Sequence, residues 1–201
     1  MALVCLNQSY DQKTCFNERV ITQSQLDFET RVLLVQAGAF GAAYAQLDEA
    51  ALKHGLELVL GQLLETAEAD KLSAFPVEEN EIDAALKQFQ NQLGGGPQLE
   101  RFLKTYEADG STLAAVIARA IRTQRVLDAK VHLKAAVSEA EARRWQDAHP
   151  EARGMPLAAV RDKLYRDHYD DLVAQELKAI RKDAKVRLLG AFSPQPSAVT
   201  P

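Results

Sequence analysis

Leu177-Lys178-Ala179-Ile180-Arg181-Lys182-Asp183-Ala184-Lys185-Val186-Arg187-Leu188-Leu189 contains the change of period that decides the fold. Up to Lys182 the residues extend a helical stripe through Val160, Leu164, His168, Leu172, Val173, Leu177 and Ile180. From Lys185 to Leu189 they alternate as a strand does. An isolated strand is not stable in water, so this one needs a partner. The other β-formers lie at the opposite end of the chain, from Ala2 to Leu6 and from Phe16 to Thr22, separated by the turn residues Asn7, Ser9, Asp11 and Asn17. The simplest topology therefore pairs Val186 to Leu189 with one N-terminal strand and ties the two chain ends together around whatever lies between them.

What lies between is helical in period. Thr22 with Gln25 has the pattern of a capping box and opens a first helix whose Leu26, Thr30, Leu33 and Leu34 share a face up to Gly38. After the break at Gly38 to Gly41, Leu52, Leu56, Val59, Leu60, Leu63 and Leu64 mark a second helix that ends near Leu72. Beyond Pro76, the acidic Glu78, Glu79 and Glu81 suit the positive end of a third helix carrying Ile82, Leu86, Phe89 and Leu93. Gly94-Gly95-Gly96-Pro97 stops it, and a short helix with Leu99, Phe102, Leu103 and Tyr106 runs to Asp109-Gly110. Ser111 is positioned to cap a long fifth helix containing Leu113, Val116, Ile117, Ala120, Ile121, Gln124 and Leu127. A second capping-box pattern, Ser138 with Glu141, opens a short helix that holds Trp145 and ends at His149-Pro150. The expected class is mostly α: six to seven helices with a small pairing of N- and C-terminal strands.

Composition narrows the function. The 201 residues are 47% hydrophobic, enough for a substantial core. A net charge of -4 from 24 basic and 28 acidic residues mixed along the chain offers no broad positive field for a phosphate backbone, so nucleic acid is not an expected partner. The longest apolar runs, such as Leu56 to Leu64, are broken by Glu57, Gly61 and Gln62 and fall short of the roughly 18 to 20 residues of a membrane span. Met1 to Leu6 has neither the basic region nor the apolar length of a secretory signal. Cys5 and Cys15 could close a short disulfide loop or remain two free thiols, and spacing does not choose between them.

No constellation points to catalysis. His54, His132, His149 and His168 have no evident partner in sequence, and no histidine stands at metal-ligand spacing from a cysteine, so no metal or cofactor is expected. His168 falls on the apolar stripe of the last helix, which suits a core or groove histidine. The glycine run at Gly94 lacks the Lys-Ser/Thr of a phosphate loop and reads as a turn. Arg119, Arg122 and Arg125 form a basic strip on the fifth helix, either a solvated face or an anchor for an acidic or C-terminal carboxylate of a bound polypeptide. Phe40, Tyr44, Trp145, Tyr165 and Tyr169 are amphipathic or apolar rings suited to polypeptide contacts, with ordinary core packing as the alternative.

The order of these motifs resembles the non-catalytic chaperone module of the SurA-type family of parvulin-linked periplasmic chaperones. Arg19-Val20-Ile21-Thr22-Gln23-Ser24-Gln25-Leu26-Asp27 is similar to that family's opening segment, a short strand and hydroxyl-capped turn leading into the first helix. Leu60-Gly61-Gln62-Leu63-Leu64 falls at its leucine-rich second helix, and Val77-Glu78-Glu79-Asn80-Glu81-Ile82-Asp83-Ala84-Ala85-Leu86 at its acidic third-helix start. Phe102-Leu103-Lys104-Thr105-Tyr106 is similar to the short fourth helix, and Val160-Arg161-Asp162-Lys163-Leu164 with Leu177 to Leu189 to the closing helix and strand. The likeness spans nearly the whole chain and implies one polypeptide-binding module over residues 1–192, followed by a disordered tail, 193–201, with three prolines.

Family members often insert parvulin prolyl-isomerase domains before the closing helix, where this sequence has ten residues between Trp145 and Pro156. The resemblance thus implies a helical cradle for unfolded or extended polypeptides in a cleft between the first helices and the closing helix, without isomerase activity. Its candidate contacts are Phe40, Tyr44, Trp145, Tyr165, His168, Tyr169, Arg119, Arg122 and Arg125. It also implies a periplasmic or cell-envelope location, whereas the sequence as it starts suits the cytoplasm. The alternative function is a structural scaffold with a fixed helical interface to one partner or to a second copy in a homodimer.

Overall fold

The computed structural model of the chain describes residues 3–7, 19–71, 73–183 and 185–189, with side chains described for 21–70 and 73–182. The expected disordered tail, 193–201, and any bridge between Cys5 and Cys15 lie outside the described residues. The fold is mostly α. Strands β1 (Leu3–Asn7) and β2 (Arg19–Ile21) precede α1 (Gln23–Gln36), α2 (Glu49–Lys71), α3 (Glu79–Leu93), α4 (Gly96–Thr105), α5 (Gly110–Val131), α6 (Glu139–Ala148) and α7 (Leu157–Asp183), and β3 (Lys185–Leu189) follows them. Short 3-10 turns stand at Phe40–Ala43 and Pro150–Ala152. The strands form one antiparallel sheet in the order β2-β1-β3. Val4 faces both Ile21 and Leu188, and Leu6 faces both Arg19 and Val186, so the two ends of the chain share a sheet as the change of period predicts.

Helix starts follow local chemistry. Thr22 Oγ1 accepts the Gln25 amide, but the Gln25 side chain turns forward to Glu29, so this is a hydroxyl cap without the reciprocal half of a box. A full box occurs at α3, where Glu78 and Glu81 exchange side-chain and backbone bonds. The cap of α5 is Asp109 rather than Ser111: its carboxylate accepts from the Thr112 amide and from the Ser111 hydroxyl. The first-turn amides favour a charged acceptor and hold the Asp109 carboxyl down to about 2.

Among the described residues three apolar clusters make the core. Phe28, Val32 and Val35 of α1 meet Phe89, Phe102, Leu113, Val116 and Ile117, with Phe102 ringed by Phe28, Phe89 and Tyr106 at centroid distances of 5.6, 5.6 and 5.1 Å. Leu26, on the opposite side of α1, and Ile21 at the end of β2 meet Leu56, Val59, Leu60, Leu63 and Leu64 of α2, against which Ile180 of α7 packs. A third cluster of Val137, Ala142, Val160 and Leu164 joins α6 to the start of α7. Two glycines on α2 set its spacing from its neighbours. A Cβ on Gly55 would fall 2.0 Å from Thr30 Oγ1, and one on Gly61 would fall 2.7 Å from a Leu177 methyl. The long closing helix therefore sits tightly on α2 over its second half, where the sequence suggests an open cleft.

Candidate functional site

The structure distributes the expected site residues over separate places. Phe40 and Tyr44 lie on the turn after α1, 51% and 41% exposed. That turn is rigidly held. Arg31, buried in α1, makes a two-pronged pair with Asp27 and donates to the Ala42 and Ala45 carbonyls at 2.7 Å each. The Tyr106 hydroxyl donates to the Ala43 carbonyl, and the Tyr44 hydroxyl to that of Gln98. Phe40 is thus an apolar ring presented to solvent on a braced loop, while Tyr44 leans on Phe102 and beneath the Arg101 guanidinium.

The arginine strip has a different role from either expectation. Arg119 pairs with the buried Glu29 and donates to Gln62, joining α5 to α1 and α2. Arg122 binds the Ala74 carbonyl and Asp70, closing the α2–α3 connection onto α5. Arg125 binds the Pro76 carbonyl and Glu81, whose carboxyl is held below the usual range first by the Glu78 amide and also by Arg125. These three cations brace the body, neither a solvated face nor an open carboxylate anchor.

Tyr165 and Tyr169 come together along the seam between α5 and α7, ring centroids 6.0 Å apart. The Tyr169 hydroxyl donates to Asp128 at 2.7 Å and accepts from Gln124; burial first, and then Asp128, push it up to about 12. Tyr165 lies 2.7 Å from His132 Nδ1, a partner that sequence spacing does not reveal. Trp145 stacks on His149 at 4.0 Å with Lys163 over its ring, and His149 Nδ1 meets the Trp145 carbonyl. His168 is half-exposed with Nε2 4.0 Å from Glu141.

His132, Leu133, Ala136, Val137, Arg161, Asp162 and Tyr165 line an open hollow of about 210 Å³ where α5 ends and α7 begins. Sites for drug-sized ligands run to ~300–1,000 Å³, so this hollow has the scale of one or two side chains rather than of a nucleotide or organic cofactor. On its rim stands Leu133, 85% exposed, in the turn that follows α5. Nothing in the sequence singles this leucine out, because its exposure depends on how α6 and α7 fold back past it.

Among the described residues no group of His, Cys, Asp and Glu side chains is arranged to hold a metal ion, and no helix is long and apolar enough to cross a membrane. No protein-family model matches the chain, and no curated protein sequence matches it.

Proposed function

We propose that the chain is a SurA-type chaperone module without an isomerase domain, and that it binds unfolded or extended polypeptides through the hollow beside Leu133. The observation that carries this reading is a nearly fully exposed leucine on the rim of a side-chain-sized hollow walled by the α5–α6 connection and by α7. An apolar side chain held in water next to a concave surface favours an incoming apolar side chain. The aliphatic Leu133, the ring faces of His132 and Tyr165, and the charged Arg161 and Asp162 offer adaptable contacts without demanding one ligand shape. The element order supports the family reading: a long closing helix, α7, leads into a strand, β3, that pairs with β1.

The test is suppression of aggregation of several unrelated unfolded proteins. The expected outcome is protection at near-stoichiometric ratios, weakened roughly tenfold or more by Leu133→Asp, since burying one leucine side chain is worth about 1.5–3 kcal/mol. Ala136→Glu, on the wall of the same hollow and exposed, should weaken it as well, with circular dichroism confirming that the fold is retained. Phe40→Asp reports separately on the braced turn. Protection that survives Leu133→Asp and Ala136→Glu refutes the assignment to this hollow. Failure to protect any client, together with a defined complex with one partner or a second copy, favours the scaffold.

A further inference from the structure

The second half of α7 is fastened to the body by two kinds of contact. One is apolar and steric: Leu177 over Gly61, and Ile180 against the α1–α2 cluster, with the Arg181–Glu57 ion pair beside them. The other is a three-helix charge cluster. Lys130 Nζ of α5 donates to Glu65 Oε2 of α2 at 2.9 Å and to Glu176 Oε1 of α7 at 2.7 Å. The Glu65 side chain is wholly buried, whereas Lys130 and Glu176 are each 30% exposed. Glu65 Oε1 makes no hydrogen bond with any described residue.

Two carboxylates therefore share one ammonium, and the more buried of the two carries an unmatched oxygen. A buried charge that is incompletely paired is costly, and a proton on it removes most of that cost. We propose that Glu65, Lys130 and Glu176 form a proton-operated clasp that holds the closing helix α7 onto α2 and α5, tighter when the cluster has taken up one proton on Glu65. The protonated cluster has one cation facing one carboxylate, whereas the deprotonated cluster has a surplus negative charge beside the helix interface.

The fields acting on Glu65 come from Lys130 on α5, Glu176 on α7 and Glu68 on its own helix. The third neighbour of α2, α1, directs its buried carboxylate Glu29 to Arg119 instead. Burial holds the Glu65 carboxyl above its ordinary 4.5, outweighing the hydrogen bond and charge of Lys130. When α7 lifts, Glu65 meets water and its carboxyl relaxes toward that ordinary value. The docked form thus binds the proton more tightly than the lifted form. Docking is favoured below 4.5 and the advantage disappears as pH rises through the raised value. Because the first half of α7 supplies Arg161, Asp162 and Tyr165 to the hollow, a looser α7 changes that wall whatever the hollow binds.

The experiment is hydrogen exchange at the α7 amides of residues 172–180 in the full chain, corrected for intrinsic exchange rate, for wild type and Glu65→Gln. Across about pH 4.5 to 8, the ratio of wild-type to Glu65→Gln protection should rise as pH falls, with a slope no steeper than tenfold per pH unit, the limit for one linked proton. Other acid-sensitive groups act on both proteins and cancel in the ratio. Lys130→Met, which leaves two carboxylates without their cation, should lose α7 protection at high pH and regain it in acid. If Lys130→Met fails to fold, wild type against Glu65→Gln decides alone. A ratio that is flat with pH, or that falls on acidification, overturns the proposal.

Discussion

A buried charge reads differently from an exposed one, and Arg119, Arg122 and Arg125 make the difference measurable. Each guanidinium is a strut, but only the Arg119 pair has both side chains largely out of water, at 13% and 3% exposure. Removing Arg119 strands Glu29 in the interior, so Arg119→Ala should cost about 3–5 kcal/mol in denaturant unfolding. Arg122→Ala, facing an Asp70 that is mostly exposed, should cost clearly less. Equal losses for the two would contradict the assignment of Glu29 and Arg119 as the interior pair. Reversing the charge of the strip is consequently a stability experiment and says little about client binding. None of this is legible in sequence, because the acceptors of these arginines lie between 44 and 90 positions away and no local spacing announces them. The same holds for the partnership of His132 with Tyr165. Thr22, Ser138 and the acidic start of α3, by contrast, act within one helical turn, and there the sequence finds the helix starts, although at Thr22 only the hydroxyl half of the expected box forms.

Among the elements, the helices that sequence pattern describes well are those with one wet face. The stripe of α3 and its glycine stop predict that helix to within a residue or two, and the stripe of α5 predicts its start closely but reaches only Leu127, short of its end at Val131. The first two helices are harder. A stripe through Leu26, Leu33 and Leu34 names one side of α1, whereas Phe28, Val32 and Val35 bury the other side against a different cluster. A helix with neighbours on both sides has no single hydrophobic direction, so periodicity understates its burial and leaves Glu29 and Glu65 looking like surface residues. The α2–α7 crossing offers the test at this scale. Gly61→Val places branched carbon into the space of Leu177 and should destabilise by about 1–3 kcal/mol, with the loss of hydrogen-exchange protection concentrated in the second half of α7. Protection lost evenly throughout the chain would show that α7 does not dock as a separable element. Gly61 is visible in the sequence only as an interruption of a leucine run; its use as a contact surface needs the partner helix.

For the molecule as a whole, the sheet pairs β1 with β3 and so joins residues that are far apart in sequence. A chain ending before Lys185 loses every β1–β3 pair and should melt at a clearly lower temperature, each lost kcal/mol being worth roughly 2–4 °C at this size. A chain lacking only residues 193–201 serves as the control and should melt as the full chain does. An unchanged midpoint in the first truncation would refute the role of β3 in global stability. The same pairing imposes an order of events during synthesis. The strand at Leu3–Asn7 leaves the ribosome well before the strand at Lys185–Leu189 that faces it, with all seven helices of the described residues between them. Helices can form as they emerge, since their bonds are local, but β1 has no partner on that side until everything between it and β3 has been polymerised. Throughout elongation that edge stands open to other strands, so a nascent copy of this protein needs the kind of protection that we propose the finished one gives.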